Sequence, residues 1–284
     1  MKINYGVFIL AVVLALSGCS KEEPTASGGI LPSSYLMPDS VGQSWHYNGY
    51  ETILYYDTLG IRQDSTTYSR SMVITIISRD TVNGYQTFTV ELHNYFPNDS
   101  SNYRDSDGRV RYAHNDTLLA EVAYTIGSPT GFKQNKLKRV RFGGKIYNDI
   151  EEVRNAILYG NSYQGKYDTT LVPYNPPRIV LDYPLSAGKE WIHYDTAWLS
   201  HRKVERTERI TVNGRSEYCW KIESLLDVDG DGNWDMDIVW NDWYNGSGMV
   251  KRHMEFYCMW IGMLGEDLGT FIFIDHYELV NQEI

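Results

Sequence analysis

Hydrophobic and polar residues alternate along much of this 284-residue chain, with the two-residue period of a strand that has one buried face. In residues 85–92, Gln86, Phe88, Val90 and Leu92 fall on one side, and Tyr85, Thr87, Thr89 and Glu91 on the other. Phe88, Val90 and Leu92 are therefore expected to point inward. The β-rich run 71–78 precedes them across Thr81-Val82-Asn83-Gly84, a pattern that predicts a β-hairpin. The same arrangement recurs later: residues 202–210 and 217–225 flank Thr211-Val212-Asn213-Gly214, with Tyr218, Trp220 and Ile222 on one face.

A second echo precedes each hairpin. Pro38-x-Ser40-x-Gly42-x-x-Trp45 and Pro184-x-Ser186-x-Gly188-x-x-Trp191 share one frame, in which proline and glycine punctuate a turn and a large aromatic anchors the strand that follows. Further on, Gly108-Arg-Val110-Arg111 matches Gly248-Met-Val250-Lys251. These echoes predict a mainly β chain of two related halves, 35–180 and 181–284, with at most one or two short helices. The helix candidate is 148–159, where Asn148 is the expected cap, Glu151 lies three residues on, and Ile150, Val153, Ile157 and Leu158 fall near one face. Residues 160–177, polar and closed by Asn175-Pro176-Pro177, read as a loop.

The amino terminus stands outside that scheme. Lys2 supplies a positive start, residues 7–16 are unbroken apolar, and Leu16-Ser17-Gly18-Cys19 has the order of a bacterial lipobox, which is cut before a cysteine that then takes up lipid. Residues 1–18 are thus expected to be a lipoprotein signal peptide, 19–34 a flexible Ser-, Gly- and Pro-rich tether, and 35–284 a single β domain. Ten apolar residues are too few to cross a bilayer as a helix, so Cys19 is the expected membrane attachment. Ser20-Lys21-Glu22-Glu23 looks like the surface-export signal of Bacteroidota lipoproteins, which points to the outer membrane and to surface exposure, the alternative being a plain solvated tether. The formal net charge of −10 argues against binding nucleic acid. Outside the cytoplasm Cys219 and Cys258 are free to form a disulfide, the alternative being two unpaired thiols on neighbouring strands.

Local chemistry is concentrated in Asp227-Val-Asp229-Gly-Asp231-Gly-Asn233-Trp-Asp235-Met-Asp237. This is D-x-D-x-D-G, the first half of an EF-hand-type calcium loop. Five carboxylates this close repel by roughly 1 kcal/mol per near pair even in water, and a bound calcium ion removes the penalty. Ile238 stands where a helix-flanked EF-hand places a bidentate glutamate, so the loop resembles those of dockerin-like and thrombospondin-repeat modules more than a cytosolic sensor. That resemblance assigns side-chain ligation to Asp227, Asp229, Asp231 and Asp235 and carbonyl ligation to Asn233, in a structural role. Asp105 and Asp107 occupy the matching place in the first half. An acidic hairpin turn held by local hydrogen bonds, without metal, is the competing reading.

Nothing comparable marks catalysis. The seven histidines show no close ligand spacing, and no nucleophile elbow, phosphate loop or dinucleotide fingerprint is present. Trp45 and Trp191 read as core anchors; Trp234 and Trp243 are candidates for stacking on a ligand.

The order Tyr35-x-x-Pro38-x-x-x-Gly42-x-x-Trp45-x-Tyr47, then Tyr103-Arg-x-x-x-Gly108, Pro184-Leu-x-x-Gly188-x-x-Trp191, Trp243-Tyr-x-x-x-Gly248-x-Val250-Lys251 and Tyr277-Glu-Leu279 is similar to a group of bacterial lipoproteins of the TapB-like type. The resemblance implies one β domain built on a strongly curved antiparallel sheet or partial barrel, and it brings no catalytic residues to transfer. The expected function is that of a lipid-anchored envelope protein with a non-enzymatic structural or ligand-binding role, the ligand being a lipid, peptide or glycan held on the concave face. The rivals are a surface carbohydrate-binding lipoprotein and a hydrolase with a dispersed site.

Overall fold

The computed structural model describes residues 37, 39–82, 84–95, 108–125, 138–159, 171–195 and 198–283, all within a compact unit spanning Leu31–Ile284. The signal peptide, Cys19, Asp105 and Asp107 lie outside the described residues. Twelve strands follow one another in a single antiparallel sheet. The first half supplies β1 (Ser44–Tyr56), β2 (Arg62–Val82), β3 (Tyr85–Tyr95), β4 (Gly108–His114) and β5 (Leu118–Thr125), and β8 (Val172–Asp182) closes its outer end. The second half supplies β9 (Glu190–Asp195), β10 (Leu199–Val212), β11 (Arg215–Asp227), β12 (Ile238–Asn245), β13 (Gly248–Gly262) and β14 (Asp267–Glu283). A short hairpin, β6 (Lys138–Phe142) and β7 (Lys145–Tyr147), attaches through β6 to the end of β13, beyond the reach of β12. The curved antiparallel sheet is the fold expected from the sequence.

The two halves meet where the first strand pairs with the last. β1 and β14 run side by side along the whole of β1, and Gly49 is required there, because a Cβ at that position would strike the carbonyl oxygen of His276. At the far ends of the strand order, side chains of β9 and β10 reach β8. Trp191 Nε1, on β9, donates to the Ile179 carbonyl (2.9 Å) and Arg202 Nη1, from β10, to that of Val180 (3.0 Å). The sheet is therefore nearly closed on itself.

The repeated turns have the same construction. Gly42 and Gly188 both take positive φ, 95° and 82°, the region that glycine enters without a Cβ penalty. The Gly42 amide donates to the Ile76 carbonyl and the Ile76 amide to that of Gln43; Gly188, Val204 and Lys189 repeat the exchange. A β-bulge follows each anchor, between Ile76 and Ser78 and between Val204 and Arg206. Trp45 and Trp191 then enter the same apolar cluster together with Ile76 and Val204. In one respect the halves differ: β4 pairs directly with β3, whereas β12 lies between β11 and β13.

Three expectations are corrected. Residues around Asn175-Pro176-Pro177 are strand, not loop: among the described residues β8 pairs in the ladder with β5 alone and shifts register opposite Glu121 to Ala123, and an edge strand tolerates proline because one row of its amides needs no partner. The helix α1 (Ile150–Tyr159) is capped by Asp149, whose carboxylate accepts from the Glu152 amide at 2.8 Å, while Glu152 reaches back to Asn148. Asp149→Ala is accordingly expected to cost about 1 kcal/mol in urea unfolding, and Asn148→Ala less; the reverse order would restore Asn148 as the cap. Finally, Cys219 and Cys258 are both free and buried. β12 separates their strands, the register sets Cys219 level with the Gly248 end of β13 and Cys258 beyond Phe256 towards its other end, and Cys219 packs with Trp243 and Val250 while Cys258 packs with Phe256 and Phe271 on the opposite face. A disulfide cannot span that geometry.

Candidate functional site

The acidic loop leaves the sheet at Asp227, the last residue of β11, and returns at Ile238. Gly230 and Gly232 have positive φ, which lets the chain fold back over its own carboxylates. The buried Asp227 carboxylate accepts from the Gly230 amide (2.7 Å) and the Gly232 amide (3.0 Å), and Asp235 accepts from the Val228 amide (2.6 Å). The base is tied by the Asp235 amide to the Leu226 carbonyl at 2.7 Å, and Val228 is buried in the apolar cluster beneath. As a result, oxygen atoms of Asp227, Asp229 and Asp235 lie within 4.8 Å of one another. Burial raises the Asp235 carboxyl above its ordinary value, and the charges of Asp229, Asp227 and Asp237 push the same way against the Val228 hydrogen bond. Asp231 stands apart: its carboxylate accepts from the amide and side chain of Asn233, which hold it below the ordinary range. Three of the five expected ligand residues are thus gathered, and Asp231 and Asn233 bond to each other at the tip.

The expected stacking residues divide. Trp234 is partly exposed, with its ring 4.8 Å from that of His201. Trp243 is 8 % exposed, bonded through Nε1 to Glu208 and covered by the ammonium groups of Lys221 and Lys251. Its ring is not open to a ligand.

A belt of buried charge across the interior was not anticipated. One apolar cluster contains Ile53, Trp240, Met254, Phe271 and Phe273, and another contains Trp45, Tyr47, Tyr244 and Tyr277. Between them four strands present an ionisable residue: buried Glu51 on β1, Asp242 on β12 and Asp275 on β14, and partly buried Arg252 on β13. Asp242 is shared by Arg202 (2.6 Å) and by Arg252 (2.7 and 3.0 Å), and both guanidinium groups lie over the Trp240 ring. Burial would raise the Asp242 carboxyl, but Arg252 and Arg202 outweigh it and hold the group below the usual carboxylate range. Arg70 pairs with Glu51, and Arg154, from α1, reaches Asp275 at 3.4 Å. Arg178 lies over the Tyr174 and Tyr194 rings, contacts Glu121 at 3.3 Å, and donates to His193 Nε2, whose Nδ1 donates to the Ile179 carbonyl. Burial, with Arg178 and Arg202 nearby, holds His193 well below its ordinary value, so it is neutral.

The signal for this belt was present but unread. On β12 the inward series is Ile238, Trp240, Asp242, Tyr244, and on β14 it is Phe271, Phe273, Asp275, Tyr277. An acid in the middle of an otherwise apolar alternating face needs a buried cation.

A cavity of about 130 Å³ lies within the belt, lined by Arg178, Arg202, Arg252, His193, Asp275 and neighbouring side chains. A larger groove of about 570 Å³, lined in part by Tyr56, Phe142, Tyr257 and Phe271, includes Asp237 at the base of the acidic loop.

Neither a protein-family model nor a curated protein matches the chain. Two solved structures are similar to it. One, from Bacteroides fragilis NCTC 9343, is described as an exported protein with YmcC-like fold; it is 11% identical, with 88% of this chain and 100% of that chain covered at a TM-score of 0.32. The other, from Parabacteroides distasonis ATCC 8503, is described as a lipoprotein; it is 12% identical, with 88% and 99% covered at a TM-score of 0.35.

Proposed function

We propose that the chain is a lipid-anchored protein of the cell envelope with a non-enzymatic role, and that a calcium ion held by the loop after β11 stabilises its sheet. The supporting observation is the approach of the Asp227, Asp229 and Asp235 carboxylates to within 4.8 Å of one another, over glycine turns that fix them there. Calcium takes oxygen ligands in flexible geometry, and the donor set here is all oxygen. Because Val228 is buried beneath the loop, an ion there would hold the ends of β11 and β12 against the core.

The belt supports a structural reading of the interior. Among the described residues its carboxylates are held by arginine, its histidine is neutral with both ring nitrogens engaged, and no serine, threonine or cysteine lines the cavity. At about 130 Å³ that cavity is far below the roughly 300–1,000 Å³ of small-molecule pockets. A lipid, peptide or glycan would need the outer groove beside Asp237 instead.

Calcium titrated into the purified chain, after chelator treatment, is expected to raise the melting temperature by about 2–4 °C at millimolar ion. Asp229→Ala should lose that response. An unchanged melting curve for the parent chain would remove the metal from this account.

A further inference from the structure

His253 and His276 are far apart in sequence but directly opposed across β13 and β14. Their Nδ1 atoms face each other at 3.3 Å. The other nitrogen of each ring is engaged by a carboxylate on its own strand: His253 Nε2 is 2.8 Å from Glu255 Oε1, and His276 Nε2 is 3.2 Å from Glu278 Oε1. The Lys251 ammonium donates to the same Glu278 oxygen at 2.9 Å. A carboxylate can only accept, so each Nε2 is the donor of its ring, and in that tautomer the two Nδ1 lone pairs face each other. Two lone pairs at that separation repel unless an electrophile lies between them.

We propose that this pair is a binding site for a divalent transition-metal ion of the zinc class, with His253 Nδ1 and His276 Nδ1 as its protein ligands. Two nitrogens bound tetrahedrally at about 2.0–2.1 Å stand about 3.3–3.4 Å apart, which is the separation found. The outer carboxylates complete a recurrent arrangement in which a ligating histidine donates its remaining N–H to an acid that fixes the ring and strengthens the ligand. Glu255 and Glu278 do this for one ring each. Tyr50 stacks on His276, centroids 4.9 Å apart, and holds that ring from the β1 side. On the other side Asn241, opposite His253 in the ladder, is buried, and its Oδ1 has no hydrogen-bond partner among the described residues. His253 is about a quarter exposed and His276 about an eighth, so the ion has a route in. The competing occupant of the gap is a proton, which the metal titration below tells from an ion.

The site shares no residue with the acidic loop, and the test separates the two. In chelator-treated full chain, 100 μM zinc is expected to raise the melting temperature by about 2–4 °C. His253→Gln and His276→Gln should each abolish that rise and keep the response to calcium. Asp229→Ala should keep the rise. Glu255→Gln, which leaves both ligands in place, is expected to weaken zinc binding about tenfold or more. Copper(II) bound to the parent chain should show electron-paramagnetic hyperfine splitting from two imidazole nitrogens, a reading that needs no variant to fold. No rise with zinc in the parent chain, a rise that survives both histidine substitutions, or a copper spectrum without nitrogen splitting would each overturn the assignment.

Discussion

Asp242→Asn is expected to lower the free energy of unfolding by about 3–5 kcal/mol, the usual cost of removing one partner from a buried ion pair. The site is unfavourable for such a change because the one carboxylate serves two cations, Arg202 and Arg252, on the Trp240 face. Among the described residues, the belt sets Arg70, Arg154, Arg178, Arg202 and Arg252 against Glu51, Glu121, Asp242 and Asp275. Positive charge is already in excess by one, and Asp242→Asn doubles that excess. The group also carries a pH signature. Its folded carboxyl titrates below the unfolded one, so its contribution is complete above the ordinary carboxylate range and is lost as pH falls through the depressed folded value. Urea unfolding from pH 7 downward should show the difference between parent and Asp242→Asn shrinking at the acid end. A difference of less than about 1 kcal/mol at pH 7 would mean that solvent screens the pair, contrary to its burial.

Trp45→Ala and Trp191→Ala are each expected to cost about 3–5 kcal/mol. Both rings are buried in one cluster, and both indole N–H groups close a junction of the sheet. Trp45 Nε1 donates to the Ser247 carbonyl at 2.6 Å, linking β1 to the turn before β13, and Trp191 Nε1 links β9 to β8. Because they share a cluster, the double substitution should not be additive. Equilibrium unfolding of the three variants checks this. If Trp191→Ala were nearly neutral while Trp45→Ala was costly, the two turns would not be equivalent anchors.

The turns were readable because a glycine with positive φ and an aromatic at fixed spacing leave few conformational options, and the sequence states the solution twice. The acidic loop was readable for a similar reason: its carboxylates and glycines are consecutive, so local spacing is also spatial arrangement. The belt was harder. Glu51, Arg70, Arg202, Asp242 and Asp275 come from five strands, and a charged residue at an inward position resembles, in a single strand, a charged residue at an outward one. Only the partner supplied by another strand tells them apart. His253 and His276 failed to register as a pair for the same reason, since their proximity is made by the β13–β14 register and not by spacing along the chain. β8 was missed because prolines argue against a strand in general, and its place at an edge is known only once the sheet is assembled. The cysteines left both readings open because a span of about forty residues permits a bond; strand order and opposite faces decide against it.

The clasp between β1 and β14 has a consequence for how the chain must assemble. The strand that begins the sheet waits, through some two hundred residues of synthesis, for a mate that is made last. Until those closing residues emerge, each half keeps one raw margin, and contacts of such long reach form slowly. Removing β14 would therefore strip its partner from β1 and from β13 at once, and a nascent copy remains unlocked until β14 has emerged.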